Sequence, residues 1–97
     1  MKTYKHYILK REVTPEQLAE LGYEDKGYCW EKVDLKDHFR GIMILKNTRK
    51  ITHWASRTAV LHPEIKLEKL IQHLFDRDYV NVVETDYLIL KDSDQFS

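Results

Sequence analysis

Two histidines are the side chains of this sequence best suited to acid–base chemistry. His38 and His53 both lie in a basic part of the chain, and histidine exchanges protons close to neutral pH. Hydrolysis of a phosphate ester also needs cations that bind the phosphate, and Arg49, Lys50 and Arg57 are close by in sequence. This pattern allows a small metal-independent nuclease or hydrolase that uses His53 or His38. The more frequent case is a histidine that packs or faces water.

The same part of the chain allows contact with nucleic acid. Residues 38–63 contain five Lys or Arg residues and no Asp or Glu. Cations neutralise phosphates and an aromatic ring stacks on a base, so a basic hairpin over residues 46–57 is a candidate binding site for nucleic acid or another partner. Its candidate residues are Lys46, Arg49, Lys50, Trp54 and Arg57. Lysines at a hairpin tip also serve to prevent edge-to-edge aggregation. If Glu31, Asp34 or Asp37 packs beside the hairpin, its charge is balanced internally.

Other catalytic and binding signatures are absent from the sequence. It has no glycine-rich phosphate loop and no Gly-x-Ser-x-Gly. The only cysteine, Cys29, excludes an internal disulfide and a cysteine-based zinc site. Asp34, Asp37 and His38 could gather around a metal ion, but a polar stretch of this kind is more often an ordinary loop that binds no metal. We therefore predict no cofactor and no metal, and favour a protein that is not an enzyme.

Composition indicates a small globular protein. The 97 residues are 42% hydrophobic and 33% charged, and 16 basic side chains balance 16 acidic ones. No apolar run approaches the length of a membrane span, and the first residues do not resemble a secretory signal. We expect a cytoplasmic protein without membrane contact.

Hydrophobic periodicity and turn residues predict one α+β domain over residues 1–97, with a frayed tail at 92–97. The predicted order is β-α-β-β-β-α-β-β, with a mostly antiparallel sheet of about 4–6 strands. Strands are expected at 3–10, 28–33, 39–45, 50–55, 80–84 and 87–90, a turn at 24–27, and helices at 15–21 and 64–77.

The two predicted helices have different signals. Thr14, Pro15 and Gln17 form a capping-box start, and Gly22 suits a left-handed end. The second helix, residues 64–77, is predicted as one long amphipathic helix packed on one face of the sheet. Its apolar stripe consists of Leu67, Leu70, Ile71, Leu74 and Phe75, and its other face is expected to be solvated.

Aromatic residues recur on the predicted strands, and they indicate a surface for a partner. The strand aromatics are Tyr4, Tyr7, Tyr28, Trp30 and Tyr87. An uncovered sheet face with such residues is typical of a protein interface or homodimer, although aromatics are also ordinary strand formers. The sequence favours a non-enzymatic binding module, an accessory or regulatory protein, whose partner is more often a protein than nucleic acid.

Overall fold

The computed structural model describes residues 3–33, 40–55 and 67–86. They form an α+β structure with one six-stranded antiparallel sheet and three short helices. The strands are β1 (Tyr4–Leu9), β2 (Glu24–Asp25), β3 (Cys29–Val33), β4 (Arg40–Leu45), β5 (Lys50–Ala55) and β6 (Val80–Thr85). The helices are α1 (Pro15–Glu20), α2 (Leu67–Leu70) and α3 (Gln72–Phe75). The strand order across the sheet is β2-β3-β4-β5-β1-β6, so the predicted antiparallel α+β architecture is confirmed.

Helix α1 begins and ends as its sequence predicts. The Thr14 hydroxyl accepts the Gln17 backbone N–H at 3.2 Å, and the Gln17 side chain accepts the Thr14 N–H at 2.9 Å. At the other end Gly22 has φ of +95°. The Tyr23 N–H donates to the Leu18 carbonyl at 3.1 Å and the Gly22 N–H to the Ala19 carbonyl at 3.0 Å, which is the Schellman pattern. Leu18 is fully buried as a result.

The prediction of one long helix over 64–77 is wrong. Residues 64–66 lie outside the described residues, and the rest forms α2 and α3, each of four residues. Ile71 interrupts them with φ −105° and ψ 21°, and the Leu74 N–H bonds to the Ile71 carbonyl three residues back. Ile71 is completely buried. Its N–H still donates to the Leu67 carbonyl at 3.0 Å, and its carbonyl also accepts the Phe75 N–H at 3.2 Å, so the interruption lies in the backbone angles of Ile71 and not in lost hydrogen bonds. The apolar stripe itself is confirmed, since Ile71 and Leu74 are fully buried.

The region predicted as a turn at 24–27 contains a short strand as well. Glu24 and Asp25 form β2 and pair with Glu31 and Trp30, which adds a sixth strand. The turn follows one residue later, where the Lys26 N–H donates to the Cys29 carbonyl at 2.8 Å. A two-residue strand carries too little hydrophobic alternation to be seen in sequence.

The predicted hairpin between β4 and β5 is confirmed. The Arg49 N–H donates to the Leu45 carbonyl at 2.8 Å, and Arg49 adopts a left-handed φ of 62°. Asn47 accepts the Thr48 N–H and so stabilises the loop. Strand β4 lies in the interior of the sheet, as its continuous apolar run predicts.

The hydrophobic core lies between one face of the sheet and the helices. Its strand residues point to that face, and α1 and α3 complete it. Its central members are Tyr7, Leu9, Leu18, Trp30, Ile42, Ile44, Ile51, Ile71, Leu74 and Val80. We call this side of the sheet the helix face and the other side the second face. The predicted strand at 87–90 and the predicted tail at 92–97 lie outside the described residues.

Candidate functional site

The first cation of the predicted hairpin site is held by an acid from the neighbouring hairpin. Lys46 Nζ lies 2.7 Å from Asp25 Oδ1 and 5.3 Å from the centre of the Trp30 ring. The hydrogen bond from Lys46, followed by the Gly27 N–H, keeps the pKa of Asp25 below its ordinary value. Lys46 is therefore balanced in charge by Asp25, which lies outside the acid-free residues 38–63.

The second cation, Arg49, binds the backbone of a neighbouring segment. Its Nη1 donates to the Lys10 carbonyl at 3.1 Å and to the Val13 carbonyl at 3.2 Å. Its guanidinium also lies 5.6 Å from the Trp30 ring centre. These contacts join the hairpin loop to the segment between β1 and α1, so Arg49 has a structural role in the described part of the chain.

Trp54 lies on the second face of the sheet. It pairs across β4 and β5 with Gly41, and its indole ring occupies the space above that glycine. Its Nε1 donates to Glu31 Oε2 at 3.0 Å. The ring therefore contacts the sheet, and Glu31 is one of the acids whose packing beside the hairpin would balance its charge.

The remaining candidates are Lys50, His53, Arg57 and His38. Lys50 is 7% exposed, while His53 is exposed, and both line a cleft between β1 and β5. Arg57 and His38 lie outside the described residues. The described structure thus brings together Lys46 and Arg49 around Trp30, and Lys50 and His53 at the cleft.

Two polar pairs were missed by the sequence interpretation, which assigned Glu68 and His73 to a solvated helix face. The Tyr7 hydroxyl donates to Glu68 Oε1, and burial followed by this carboxylate raises the pKa of Tyr7 to about 12. Tyr23 Oη lies 2.8 Å from His73 Nε2. Burial, with Lys32 nearby, lowers the pKa of His73 to about 4, so the ring that faces Tyr23 is neutral at neutral pH. Only the packing of distant segments creates these pairs.

The strand aromatics do not gather on one exposed face. Tyr7 and Trp30 are buried in the core on the helix face, whereas Tyr28 precedes β3 and is 66% exposed. Tyr4 is half-buried, and Tyr87 lies outside the described residues. Cys29 is fully buried, as expected for a small apolar residue.

The two edges of the described sheet differ strongly. Strand β2 has two residues, both acidic, and Lys26 follows with a 3.0 Å ion pair to Glu24. Strand β6 has six residues, and each has a partner on β1. In the described part of the chain no strand lies on the other side of β6. Val82 is 48% exposed and Val83 is 38% exposed.

Comparison with known proteins gives no relative. No protein-family model matches the chain, and no curated protein or solved structure matches it. Within residues 3–33, 40–55 and 67–86, no group of three or more His, Cys, Asp or Glu is placed to hold a metal ion. No helix in these ranges has the length and apolar character needed to cross a membrane.

Proposed function

We propose that this protein is a non-enzymatic binding module that contacts another protein through strand β6. The partner adds an extended segment to the sheet beside β6 and covers its valines. The observation that carries the proposal is the contrast between the two edges: β2 has two residues, both charged, whereas β6 has six residues, one of them charged, and exposes two valines.

Backbone geometry supports β6 as the binding edge. A strand bonded on one side directs every second N–H and C=O group to the other side, where an extended peptide can bond to them. Residues Tyr4–Leu9 pair with all six residues of β6, so the edge is held straight and in register. A pre-ordered strand loses little conformational entropy when a partner binds.

The two exposed valines allow the added strand to make apolar contacts on both faces of the sheet. Val82 pairs with Tyr7 and so lies on the helix face, while its neighbour Val83 pairs with His6 on the second face. Glu84 is the one charged side chain in β6. Natural edge strands are commonly protected by several charges, and β6 has little of this protection.

The contacts of the basic hairpin favour a protein partner over nucleic acid. Lys46 is paired with Asp25, and Arg49 donates to two backbone carbonyls. Binding phosphates with these cations would break contacts within the chain. For the hydrolase alternative, which uses His53 or His38, the structure places His6 at the same cleft as His53, but His6 Nε2 is already bonded to Thr85 Oγ1 at 3.0 Å. His38 lies outside the described residues.

The test is affinity capture from a lysate of the source cells, with the wild-type chain, Val82→Lys and Val83→Lys as baits. A lysine at either position adds charge to the edge and should remove the captured partner. Nuclease treatment of the lysate should leave the wild-type result unchanged. Sedimentation equilibrium of the purified chain distinguishes a second copy from another protein.

Val33→Lys is the matched control. Val33 ends β3 and is 38% exposed, the same fraction as Val83. A surface substitution of this kind changes stability by about 0.5 kcal/mol or less. If Val33→Lys and Val83→Lys bind the same proteins equally, the contact is not at β6. If nuclease removes the partner, the contact is with nucleic acid.

A further inference from the structure

The hydrogen bonds between β1 and β6 determine which backbone groups of β6 face outward. The Lys10 N–H donates to the Tyr79 carbonyl at 2.8 Å, one position beyond the last β1–β6 pair. Hydrogen-bonded and non-hydrogen-bonded pairs alternate along an antiparallel ladder. Val80, Val82 and Glu84 therefore belong to non-hydrogen-bonded pairs with β1, and their N–H and C=O groups point away from it.

These three outward residues are arranged symmetrically about Val82. If an identical β6 strand is added antiparallel, with Val82 opposite the partner's Val82, then Val80 lies opposite the partner's Glu84. Each such pair exchanges two backbone hydrogen bonds, so this register makes about six bonds within β6, whereas a shift by two residues in either direction makes about four. The backbone of β6 is thus most self-complementary when a two-fold axis passes through the Val82 pair.

Charge also permits β6 to pair with its own copy. Glu84 is the one charged side chain of β6, and in this register it lies opposite a valine of the second copy and beside Lys5 of its own chain. The whole chain has 16 basic and 16 acidic side chains, so two copies do not repel through net charge. Strand β2 differs, because both of its residues are acidic and self-pairing would bring carboxylates together.

The exposed valines of β6 are covered in the same register. Val82, which is 48% exposed, packs against its own copy on the helix face. Val83, which is 38% exposed, lies opposite the partner's Asn81 on the second face. Beyond the strand ends Asp78 approaches the partner's Asp86, but Asp78 is already held in a 3.0 Å ion pair, which reduces the repulsion.

We propose that the strand added beside β6 is the β6 of a second copy of this chain, so that two copies share one continuous antiparallel sheet. This inference rests on the proposed function and names the partner at that edge. A strand of six residues buries less surface than a standard interface of about 1,600 Å². The expected dimer is therefore weak and reversible, with a Kd of about 1–100 µM.

Sedimentation equilibrium of the purified full chain, at concentrations up to about 1 mM, tests the dimer. The wild-type chain should dimerise as its concentration rises. Val82→Lys should remain a monomer, because two lysines would face each other at the axis, whereas the control Val33→Lys, on β3, should dimerise as the wild type does. A monomeric wild type, or a Val82→Lys variant that dimerises equally well, overturns the inference.

Disulfide trapping tests the register. In the proposed pairing the Cα atoms of Val82 and its copy are about 5.5 Å apart, within the range of a disulfide, whereas those of Val83 and its copy are about 8 Å apart, beyond that range. Val82→Cys should therefore form a disulfide-linked dimer at least about tenfold faster than Val83→Cys under mild oxidation. Cys29 is fully buried and stays in both variants. Equal or faster linkage through position 83 would contradict the proposed axis.

Failure of this inference can be told apart from failure of the proposed function. A monomeric wild type whose captured protein is lost in Val82→Lys refutes the second copy alone and leaves β6 as the contact with a different protein. A monomeric wild type whose captured protein is retained by the β6 variants refutes both.

Discussion

Gly41→Ala tests the position of Trp54 most sharply. A methyl group built at Gly41 lies 2.6 Å from Cζ2 of Trp54 and closer still to Nε1 and Cε2. Ordinary contacts of this kind are 3.4–4 Å, so the indole ring must retreat by about 1 Å. It cannot do so without disturbing its 3.0 Å hydrogen bond to Glu31.

The expected loss of stability follows from two terms. Overpacking costs about 1–3 kcal/mol, and weakening one hydrogen bond costs about 0.5–1.5 kcal/mol. Alanine is intrinsically better than glycine in a strand by about 0.5–1 kcal/mol, which offsets part of the loss. We therefore expect Gly41→Ala to lower the free energy of unfolding by about 0.5–4 kcal/mol.

A double-mutant cycle by urea denaturation isolates the contact. In a Trp54→Ala background the methyl group meets no ring, so Gly41→Ala should be neutral or stabilising by about 0.5–1 kcal/mol. The change of sign is the expected signature. If Gly41→Ala costs the same in both backgrounds, Trp54 does not cover Gly41, and an indole available for stacking on a base becomes the better account.

The remaining predictions concern stability. Leu74→Ala should cost about 2–5 kcal/mol in a urea melt, and Leu70→Ala less, because Leu74 is fully buried and Leu70 is half-buried; equal costs would contradict the described packing. The unfolded chain binds a proton at His73 that the folded chain resists, so stability should rise with pH between about 4 and 6.5. His73→Gln should reduce this slope, and an unchanged slope would mean that His73 is not desolvated. Arg49→Ala should cost about 1–3 kcal/mol in a urea melt, since the Val13 carbonyl loses its Arg49 donor and the Lys10 carbonyl keeps only the Val13 N–H; a cost below about 0.5 kcal/mol would show that these bonds are not structural.

Local signals predicted the fold well where one segment determines its own structure. The α1 cap, the β4–β5 hairpin and the buried stripe of Leu74 and Ile71 follow from residue type and spacing. The irregular backbone at Ile71 interrupts an apolar stripe whose spacing is regular, and the two residues of β2 are too few to show an alternation. Hydrophobic periodicity therefore detects neither feature.

The candidate site was harder to predict, because charge along the sequence differs from charge in space. Residues 38–63 contain no acid, yet Asp25 reaches Lys46 and Glu31 reaches Trp54 through sheet pairing. The exposure of β6 depends on strand order, and the cleft depends on where β1 and β5 stop pairing. Neither follows from the sequence without the fold.

Capture by the β6 variants is the most direct test of the binding-module account. Wild type and Val33→Lys should retain the same protein partner after nuclease treatment, and Val82→Lys and Val83→Lys should lose it. Retention of that partner by both β6 variants, at the wild-type level, would contradict the account.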